Sequence, residues 1–177
     1  MREELKSFMA GPTKSSLLLC GNTGLPMLTD ALELAGLLLN TPIDKLSTHP
    51  DYLFIDKGGE KSIGVEQSDL LIAKANLLPA VAECNIIVID GFDAMTVQAQ
   101  NKLLKTIEEN SSVLIIAVVY NADSVLETIK SRMRVVEYRP LDRMSFMNYC
   151  KEHDLPDAAY FYYASGGCPE NTDCSHL

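Results

Sequence analysis

Short apolar runs with the character of β-strands alternate along this chain with longer stretches of helical periodicity. The most informative run is residues 85–90, which contains four consecutive β-branched residues, Ile86, Ile87, Val88 and Ile89. A strand that is apolar on both faces is typical of a parallel sheet covered by helices on both sides. Because strands and helices alternate, we predict an α/β protein with a five-stranded, mainly parallel sheet.

The other predicted elements follow from the same periodicities. Strands are expected at residues 17–20, 52–55, 85–90, 113–120 and 135–138, and helices between them at residues 28–39, 65–78, 96–109 and 124–130. From residue 142 only helical patterns occur, at residues 142–153 and 156–164, followed by a Ser-Gly-Gly stop signal. This change predicts an α/β core over residues 1–139 and a helical part over residues 140–177.

Composition and charge exclude several classes of protein. Of 177 residues, 47% are hydrophobic and 22% charged, which is typical of a folded globular chain. A net charge of −9 argues against a protein that coats nucleic acid through bulk charge, so any DNA contact must be a local patch. No apolar run approaches the roughly 18 residues of a membrane span. The N-terminus lacks the apolar core of a secretory signal, so we expect a cytoplasmic protein.

The five cysteines include no Cys-x-x-Cys pair, which disfavours a disulfide framework and a zinc site built from cysteines alone. Cys168, Cys174 and His176 do lie close together near the end of the sequence. These three candidate ligands leave a metal site open, although incidental placement is the favoured interpretation. No metal is therefore expected.

The turn after the first predicted strand, GNTGLPML at residues 21–28, lies where open α/β sheets bind ligands. Gly21 matches the first glycine of the phosphate-binding pattern GxxxxGK followed by Ser or Thr, and Gly24 supplies a glycine within the loop. The positions that carry the chemistry do not match. Pro26 has no N–H to offer a phosphate, Met27 replaces the lysine, and Leu28 replaces the hydroxyl that ligates magnesium. We therefore predict a loop that holds no nucleotide, with a working ATP site as the alternative.

A carboxylate also stands at the end of the third predicted strand. Asp90 has the position of an acid that holds magnesium in ATPases. The next residue is Gly91, so the carboxylate that activates water is missing, and Asp93 lies two residues further on. A purely structural role for Asp90 is favoured, and a magnesium ligand is the alternative.

Four stretches of the sequence together resemble a known family. They are HPD at residues 49–51, the strand at residues 86–90, QNKLLKTIEE at residues 100–109, and IKSRMR at residues 129–134. In these stretches the chain resembles the bacterial clamp-loader AAA+ subunits, and among them the delta-prime group of DNA polymerase III. The resemblance covers residues 15–169. It implies an AAA+, P-loop NTPase-like fold followed by a partial helical lid.

The resemblance implies roles for individual residues. Arg132 matches the arginine finger that projects into the ATP site of an adjacent subunit, a role that does not require its owner to bind ATP. Asn121 matches the sensor position that faces the γ-phosphate in active members. Lys102 and Lys105 lie on a helix that faces the DNA channel in the family and could contact phosphates, although exposed lysines on helices are ordinary.

Departures from the family pattern limit these expectations. The family's four-cysteine zinc module is replaced by a short cysteine-free link at residues 40–48, so no zinc is expected. Asn171 stands at the position of the lid's sensor arginine. The family continues into a helical collar beyond the point at which this sequence stops, which leaves open a truncated product or a naturally short relative.

The resulting hypothesis is a non-catalytic clamp-loader subunit with neither ATP nor magnesium as cofactor. Its expected partners are gamma/tau-type ATPase and delta-type subunits, and, through the complex, the sliding clamp and primer-template DNA; no membrane is involved. Two alternatives stay open. One is an ATPase with an unorthodox phosphate loop, and the other is a stand-alone fragment that acts as an interaction module.

Overall fold

A computed structural model describes residues 3–10, 15–109, 112–152, 155 and 158–169. The strands are β1 (Leu17–Cys20), β2 (Tyr52–Ile55), β3 (Asn85–Ile89), β4 (Val113–Val119) and β5 (Arg134–Glu137). The α-helices are α1 (Glu3–Ala10), α2 (Met27–Leu38), α3 (Val65–Ala75), α4 (Val97–Glu109), α5 (Glu127–Lys130), α6 (Arg143–Glu152) and α7 (Ala158–Ser165).

The five strands form one sheet in the order β2-β3-β4-β1-β5, and every neighbouring pair is parallel. The predicted parallel α/β architecture is therefore confirmed. In the register of the sheet, Cys20 lies between Val119 and Glu137, and Ile89 lies opposite Ala117. Because all strands run the same way, the segments that follow β1, β3 and β4 meet at one edge, and the candidate site lies there.

Side chains alternate between two apolar layers, one on each face of the sheet. Leu17 and Leu19 pack on one face with helices α1 and α2, whereas Leu18 packs on the other face with α3, α4 and α5. All residues of β4 are buried, which explains its uninterrupted apolar sequence. Each such side chain contributes about 1.5–3 kcal/mol when fully buried. The sheet is thus covered on both sides, as its sequence predicts.

The structure of helix α4 agrees closely with the helix predicted at residues 96–109. Thr96, predicted as the first residue, instead caps the helix, because its Oγ1 accepts a hydrogen bond from Ala99 N at 3.2 Å. Ala99 and Leu103 are fully buried, and Leu104 and Ile107 pack partly buried beside them. The predicted apolar stripe is confirmed.

The helix predicted at residues 124–130 is wrong in its first half. The structure has a 3₁₀ turn at Ala122–Ser124, two extended residues, and then the single turn of α5. Val125 is extended because its side chain, 4% exposed, enters the core. The N–H of Leu126 donates to Gln100 Oε1 at 2.9 Å, so it is not available for a helical bond. Tertiary contacts here override local helix propensity.

Two further segments carry structure that the periodicity did not indicate. Helix α1 was not predicted, yet Leu5 and Phe8, three residues apart, are buried against the sheet. The link at residues 40–48 contains a 3₁₀ helix, Ile43–Thr48, which buries Leu46. Both are short elements whose apolar residues are too few to form a clear stripe.

Helices α6 and α7 pack on each other around a small apolar cluster of Phe146, Cys150 and Phe161. Asp142 precedes α6, where Ser145 N and Oγ donate to its carboxylate at 3.0 and 2.9 Å. These hydrogen bonds lower the pKa of Asp142 below its ordinary value. The division into a core over residues 1–139 and a lid over residues 140–177 stays a prediction. In the described ranges no helix is long and apolar enough to cross a membrane.

Candidate functional site

Each glycine of the turn after β1 has a structural reason of its own. Gly21 N donates to Val119 O at 3.1 Å, which extends the pairing of β1 with β4. A Cβ at Gly21 would lie 2.7 Å from Tyr138 Cβ and 2.9 Å from Tyr138 O, so only glycine fits. Gly24 has a φ of 86°, a conformation that favours glycine. Neither glycine requires a phosphate to explain it.

The side chain at the lysine position lies inside the protein. Met27 is 0% exposed and Leu25 is 3% exposed, and both belong to the apolar cluster between α2 and the sheet. Leu28 is partly buried against the same cluster. Pro26 precedes α2, and its carbonyl accepts from Asp30 N at 3.0 Å. None of these four side chains offers a hydrogen-bond donor or a positive charge. That the loop holds no nucleotide stays a prediction.

A buried hydrogen bond fastens this loop to the end of the sheet. Tyr138 Oη donates to Asp30 Oδ2 at 2.7 Å, and Asp30 is 4% exposed in the first turn of α2. Tyr138 N donates to Cys20 O at 2.7 Å. The Tyr138–Asp30 hydrogen bond thus connects the start of α2 with the segment after β5, next to Gly21. Sequence reasoning missed Asp30, although a carboxylate in the first turn of an apolar helix was a visible signal.

The carboxylates after β3 are organised by a tyrosine at the end of β4. Tyr120 Oη donates to Asp90 Oδ1 at 2.9 Å, and Tyr120 N donates to Asp93 Oδ1 at 2.9 Å. Gly91 between them has a φ of 73°, which allows the sharp turn. The structure therefore brings Asp90 and Asp93 together around one residue. This arrangement provides a structural partner for Asp90, and its alternative role as a magnesium ligand stays a prediction.

The predicted sensor residue caps its own turn. Asn121 Oδ1 accepts from Asp123 N at 3.1 Å, and Asn121 Nδ2 donates to Ser124 Oγ at 3.2 Å. Both bonds are local and exposed. Asn121 thus lies at the same sheet edge as Asp90, but its amide is engaged within the 3₁₀ turn.

Arg132 lies on the surface between α5 and β5, where it is 38% exposed. Its Nε donates to Glu108 Oε1, and its Nη1 donates to Thr128 O at 2.9 Å and Ser131 Oγ at 3.3 Å. The neighbouring Met133 is buried and anchors the backbone. A guanidinium that is exposed and oriented could reach a phosphate on another molecule.

Gln100 connects this region with α4. Its side chain is fully buried, and Nε2 donates to Met95 O at 3.1 Å and to Ser124 O at 2.9 Å. Its Oε1 accepts from Leu126 N at 2.9 Å. One side chain thus ties the start of α4 to the segment that leads to Arg132. In the sequence Gln100 was part of a motif, and its partners Ser124 and Leu126 lie too far along the chain to be anticipated.

The His-Pro-Asp stretch has a structural role. Asp51 is 1% exposed and accepts three backbone hydrogen bonds, from Ala80 N at 2.6 Å and from Val81 N and Ala82 N at 2.7 Å. Its own N–H donates to His49 Nδ1 at 3.1 Å. Burial alone would raise the pKa of Asp51, but these N–H groups and the nearby Lys74 ammonium together lower it. The motif thereby fixes the loop that precedes β3.

The two lysines proposed to contact DNA lie on the exposed side of α4. Lys102 Nζ forms an ion pair with Asp69 Oδ1 at 2.8 Å, and Lys105 Nζ lies 3.8 Å from Glu109 Oε2. Lys105 is 81% exposed. Exposed ion pairs contribute about 0–1 kcal/mol, so both ammonium groups could exchange these partners for a phosphate. Their proposed role stays a prediction.

The cysteine and histidine cluster predicted as a possible metal site falls mostly outside the described residues, which include Cys168 but not Cys174, His176 or the sensor position Asn171. Cys168 is 5% exposed, and burial raises the pKa of its thiol. Within the described ranges, no group of three or more His, Cys, Asp and Glu residues could hold a metal ion. The role of the cluster stays a prediction.

Comparison with solved structures bears on the fold. The DNA polymerase III, gamma subunit-related protein of Thermotoga maritima superimposes with a TM-score of 0.64 at 22% identity, over 90% of this chain and 56% of that one. The RuvB Holliday junction branch migration motor of the same organism gives a TM-score of 0.64 at 15% identity, over 97% of this chain and 59% of that one. At such identities the likeness shows the fold alone, and that fold is of the AAA+ type.

Comparison of sequences bears on the family. Residues 4–142 match the model of the family described as DNA polymerase III, delta subunit. DNA polymerase III subunit delta' of Pseudomonas aeruginosa is 33% identical over 87 residues, which are 48% of this chain and 26% of that protein. The chain thus spans about a quarter of this curated relative. Taken with its AAA+ fold, the chain belongs to the DNA polymerase III delta subunit family, as a delta-prime-like protein of the clamp-loader type.

Proposed function

We propose that the chain acts as a non-catalytic clamp-loader subunit that takes part in loading the sliding clamp during DNA replication. In this role it neither binds nor hydrolyses ATP, and it offers Arg132 to the ATP site of a neighbouring subunit. The observation that carries the proposal is the burial of Met27. This apolar side chain, 0% exposed, occupies the position where a nucleotide site needs a lysine.

The exposure of Arg132 supports the second half of the proposal. An arginine supplied in trans stabilises the charge that develops on the transferring phosphate, and it acts on a nucleotide held by another subunit. A subunit that supplies the arginine can therefore have a loop at residues 21–28 that binds no nucleotide. Arg132 is 38% exposed, carries a permanent positive charge and lies on a backbone anchored in the core by Ile129 and Met133.

The proposed partners are a gamma/tau-type ATPase and a delta-type subunit, with the clamp and primer-template DNA contacted through the complex. Lys102 and Lys105 are the proposed DNA contacts on this chain. A net charge of −9 favours such local contacts over binding of DNA by bulk charge. The proposal places the protein in the cytoplasm. Because the chain spans 26% of its Pseudomonas relative, the activity of the whole relative is extended to it only by this proposal.

The experiment that tests the arginine finger measures ATP turnover by the gamma/tau-type ATPase with increasing amounts of this chain. Arg132→Ala is expected to abolish most of the stimulation, since arginine fingers contribute roughly 10³–10⁵ in rate where they have been removed. Arg139→Ala is the matched control. Arg139 is also an exposed arginine, 81% exposed and paired with Glu137 at 2.8 Å. Equal stimulation by wild type and Arg132→Ala would refute the role of Arg132.

A titration with a fluorescent ATP analogue and magnesium tests whether the loop at residues 21–28 binds a nucleotide. No binding is expected up to millimolar nucleotide, because the loop offers no lysine and Met27 fills its place. Micromolar binding would contradict the proposal and would favour an ATPase with an unorthodox phosphate loop.

A further inference from the structure

The guanidinium of Arg132 is oriented by its own chain at two of its three nitrogens. Nε donates to the carboxylate of Glu108. Nη1 donates to Thr128 O at 2.9 Å and to Ser131 Oγ at 3.3 Å. In the part of the chain that the structure describes, no group accepts a hydrogen bond from Nη2. Its two N–H groups are therefore the donors that this arrangement leaves for an acceptor outside the chain.

The backbone beneath Arg132 has little freedom left. Arg132 N donates to Ile129 O at 3.0 Å, and Met133 N donates to the same carbonyl at 3.1 Å. Ile129 is 0% exposed and Met133 is 5% exposed, and both pack in the apolar layer with α4. With the backbone held on both sides of Arg132, the rotamer of its long side chain determines where the guanidinium points.

Glu108 is well placed to set that rotamer. It lies in the last turn of α4, 24 residues away along the chain, and its side chain is 42% exposed. The same helix is tied near its beginning to the segment before Arg132, through the hydrogen bonds of Gln100. Helix α4 therefore contacts residues 124–132 at both ends, through two backbone hydrogen bonds of Gln100 and through the carboxylate of Glu108 at the guanidinium.

We infer that Glu108 is a positioning residue for Arg132, an inference that rests on the proposed function. Its carboxylate holds Nε so that Nη2 faces outward toward the phosphate of a nucleotide bound by a neighbouring subunit. An arginine oriented before the subunits meet loses less rotamer freedom when it reaches the phosphate. Glu108 acts through Arg132 and does not itself touch the nucleotide.

The test uses the full chain with the gamma/tau-type ATPase and no DNA, with the ATP concentration varied up to saturation. Glu108→Ala is expected to lower the stimulated kcat by about fivefold to tenfold, because the guanidinium samples other rotamers. The KM for ATP and the concentration of chain that gives half-maximal stimulation should stay unchanged. Glu108→Gln should retain most of the stimulation, since its amide oxygen still accepts from Nε. Glu109→Ala is the matched control, because Glu109 is the adjacent acid and contacts Lys105 at 3.8 Å.

Four results would overturn the inference. Stimulation that is unchanged or higher with Glu108→Ala would mean that the ion pair is dispensable or restrains the finger. A higher concentration of chain for half-maximal stimulation, with an unchanged kcat, would mean that Glu108 serves binding of the chain to the ATPase. An equal loss with Glu108→Gln would contradict hydrogen bonding by the side-chain oxygen. A further loss when Glu108→Ala is added to Arg132→Ala would mean that Glu108 acts independently.

The proposed function and this inference fail in distinguishable ways. If Arg132→Ala stimulates as well as wild type, the arginine finger itself is refuted. If Arg132→Ala loses stimulation and Glu108→Ala keeps it, only the positioning role is refuted. Circular dichroism and thermal melting of each variant exclude loss of the fold as the cause, since both side chains are partly exposed at 38% and 42%.

Discussion

Replacing Asp51 with asparagine removes a buried carboxylate that accepts three backbone hydrogen bonds. Its Oδ1 accepts from Ala80 N at 2.6 Å, and its Oδ2 accepts from Val81 N and Ala82 N at 2.7 Å. Asparagine offers a single acceptor oxygen, and its amide group would face one of the same N–H donors. The substitution therefore removes at least one hydrogen bond, weakens the others and leaves a buried donor without a partner.

The magnitude follows from the energy of each contact. A hydrogen bond to a charged group contributes about 1.5–3 kcal/mol, and an unsatisfied buried N–H costs about 1–3 kcal/mol. Because the loop can partly relax toward water, we expect Asp51→Asn to lower the free energy of unfolding by about 2–4 kcal/mol at pH 7. This is a large share of the roughly 5–15 kcal/mol by which a domain is stable.

The dependence on pH has a definite sign. The pKa of Asp51 is lowered in the folded protein, so its carboxylate adds stability above the unfolded value of about 3.9. That stability is lost as the pH falls through the still lower folded pKa. The difference between wild type and Asp51→Asn should therefore be largest near pH 7 and should shrink below pH about 4.

Urea unfolding followed by circular dichroism measures both quantities, with Asp44→Asn as the control because Asp44 is an exposed acid. Amide hydrogen exchange adds a local readout, since the N–H groups of residues 80–82 should lose protection in Asp51→Asn. A difference below about 0.5 kcal/mol at pH 7, the range of ordinary surface substitutions, would refute the reasoning. So would a difference that does not change between pH 7 and pH 3.

Two further predictions concern the candidate site. Met27→Lys is expected to destabilise the fold by about 3–5 kcal/mol without restoring ATP binding, because the new ammonium group would lie in the core that Met27 fills. Unfolding and nucleotide titrations of the variant check this, and tight ATP binding would contradict it. Gln100→Ala is expected to cost about 2–4 kcal/mol, because it leaves Leu126 N and Ser124 O without their buried partner. Thermal melting measures the loss, and a variant as stable as wild type would contradict the role of Gln100.

Most of the sheet and its helices could be predicted, because the residue pattern that indicates each element lies within one short stretch of sequence. A run such as residues 86–89 must be buried on both faces, and the stripe that includes Ala99 and Leu103 must face a core. The loop at residues 21–28 could be interpreted in the same way, since the missing lysine is visible in a single stretch. The error at residues 124–130 arose where a distant side chain, Gln100, accepts the hydrogen bond that would have continued a helix.

The long-range contacts that organise the candidate site could not be anticipated, because they join residues far apart in the chain. Asp51 and Ala80 are separated by 29 positions, Gln100 and Ser124 by 24, and Asp30 and Tyr138 by 108. Hydrogen bonds of this kind leave no periodicity in a sequence. They depend on which groups the packed sheet and helices place within about 3 Å of each other.

From the residues alone, the class of fold and the order of its strands along the chain could be established, and the loss of phosphate-binding chemistry could be predicted, since periodicity and residue type are local properties. Only the folded chain determined that Met27 enters the core, that Asp90 meets Tyr120, and that Glu108 holds Arg132. The reason is physical. A side chain's chemistry belongs to its residue, whereas its burial, partner and direction are set by neighbours that packing brings from elsewhere in the chain.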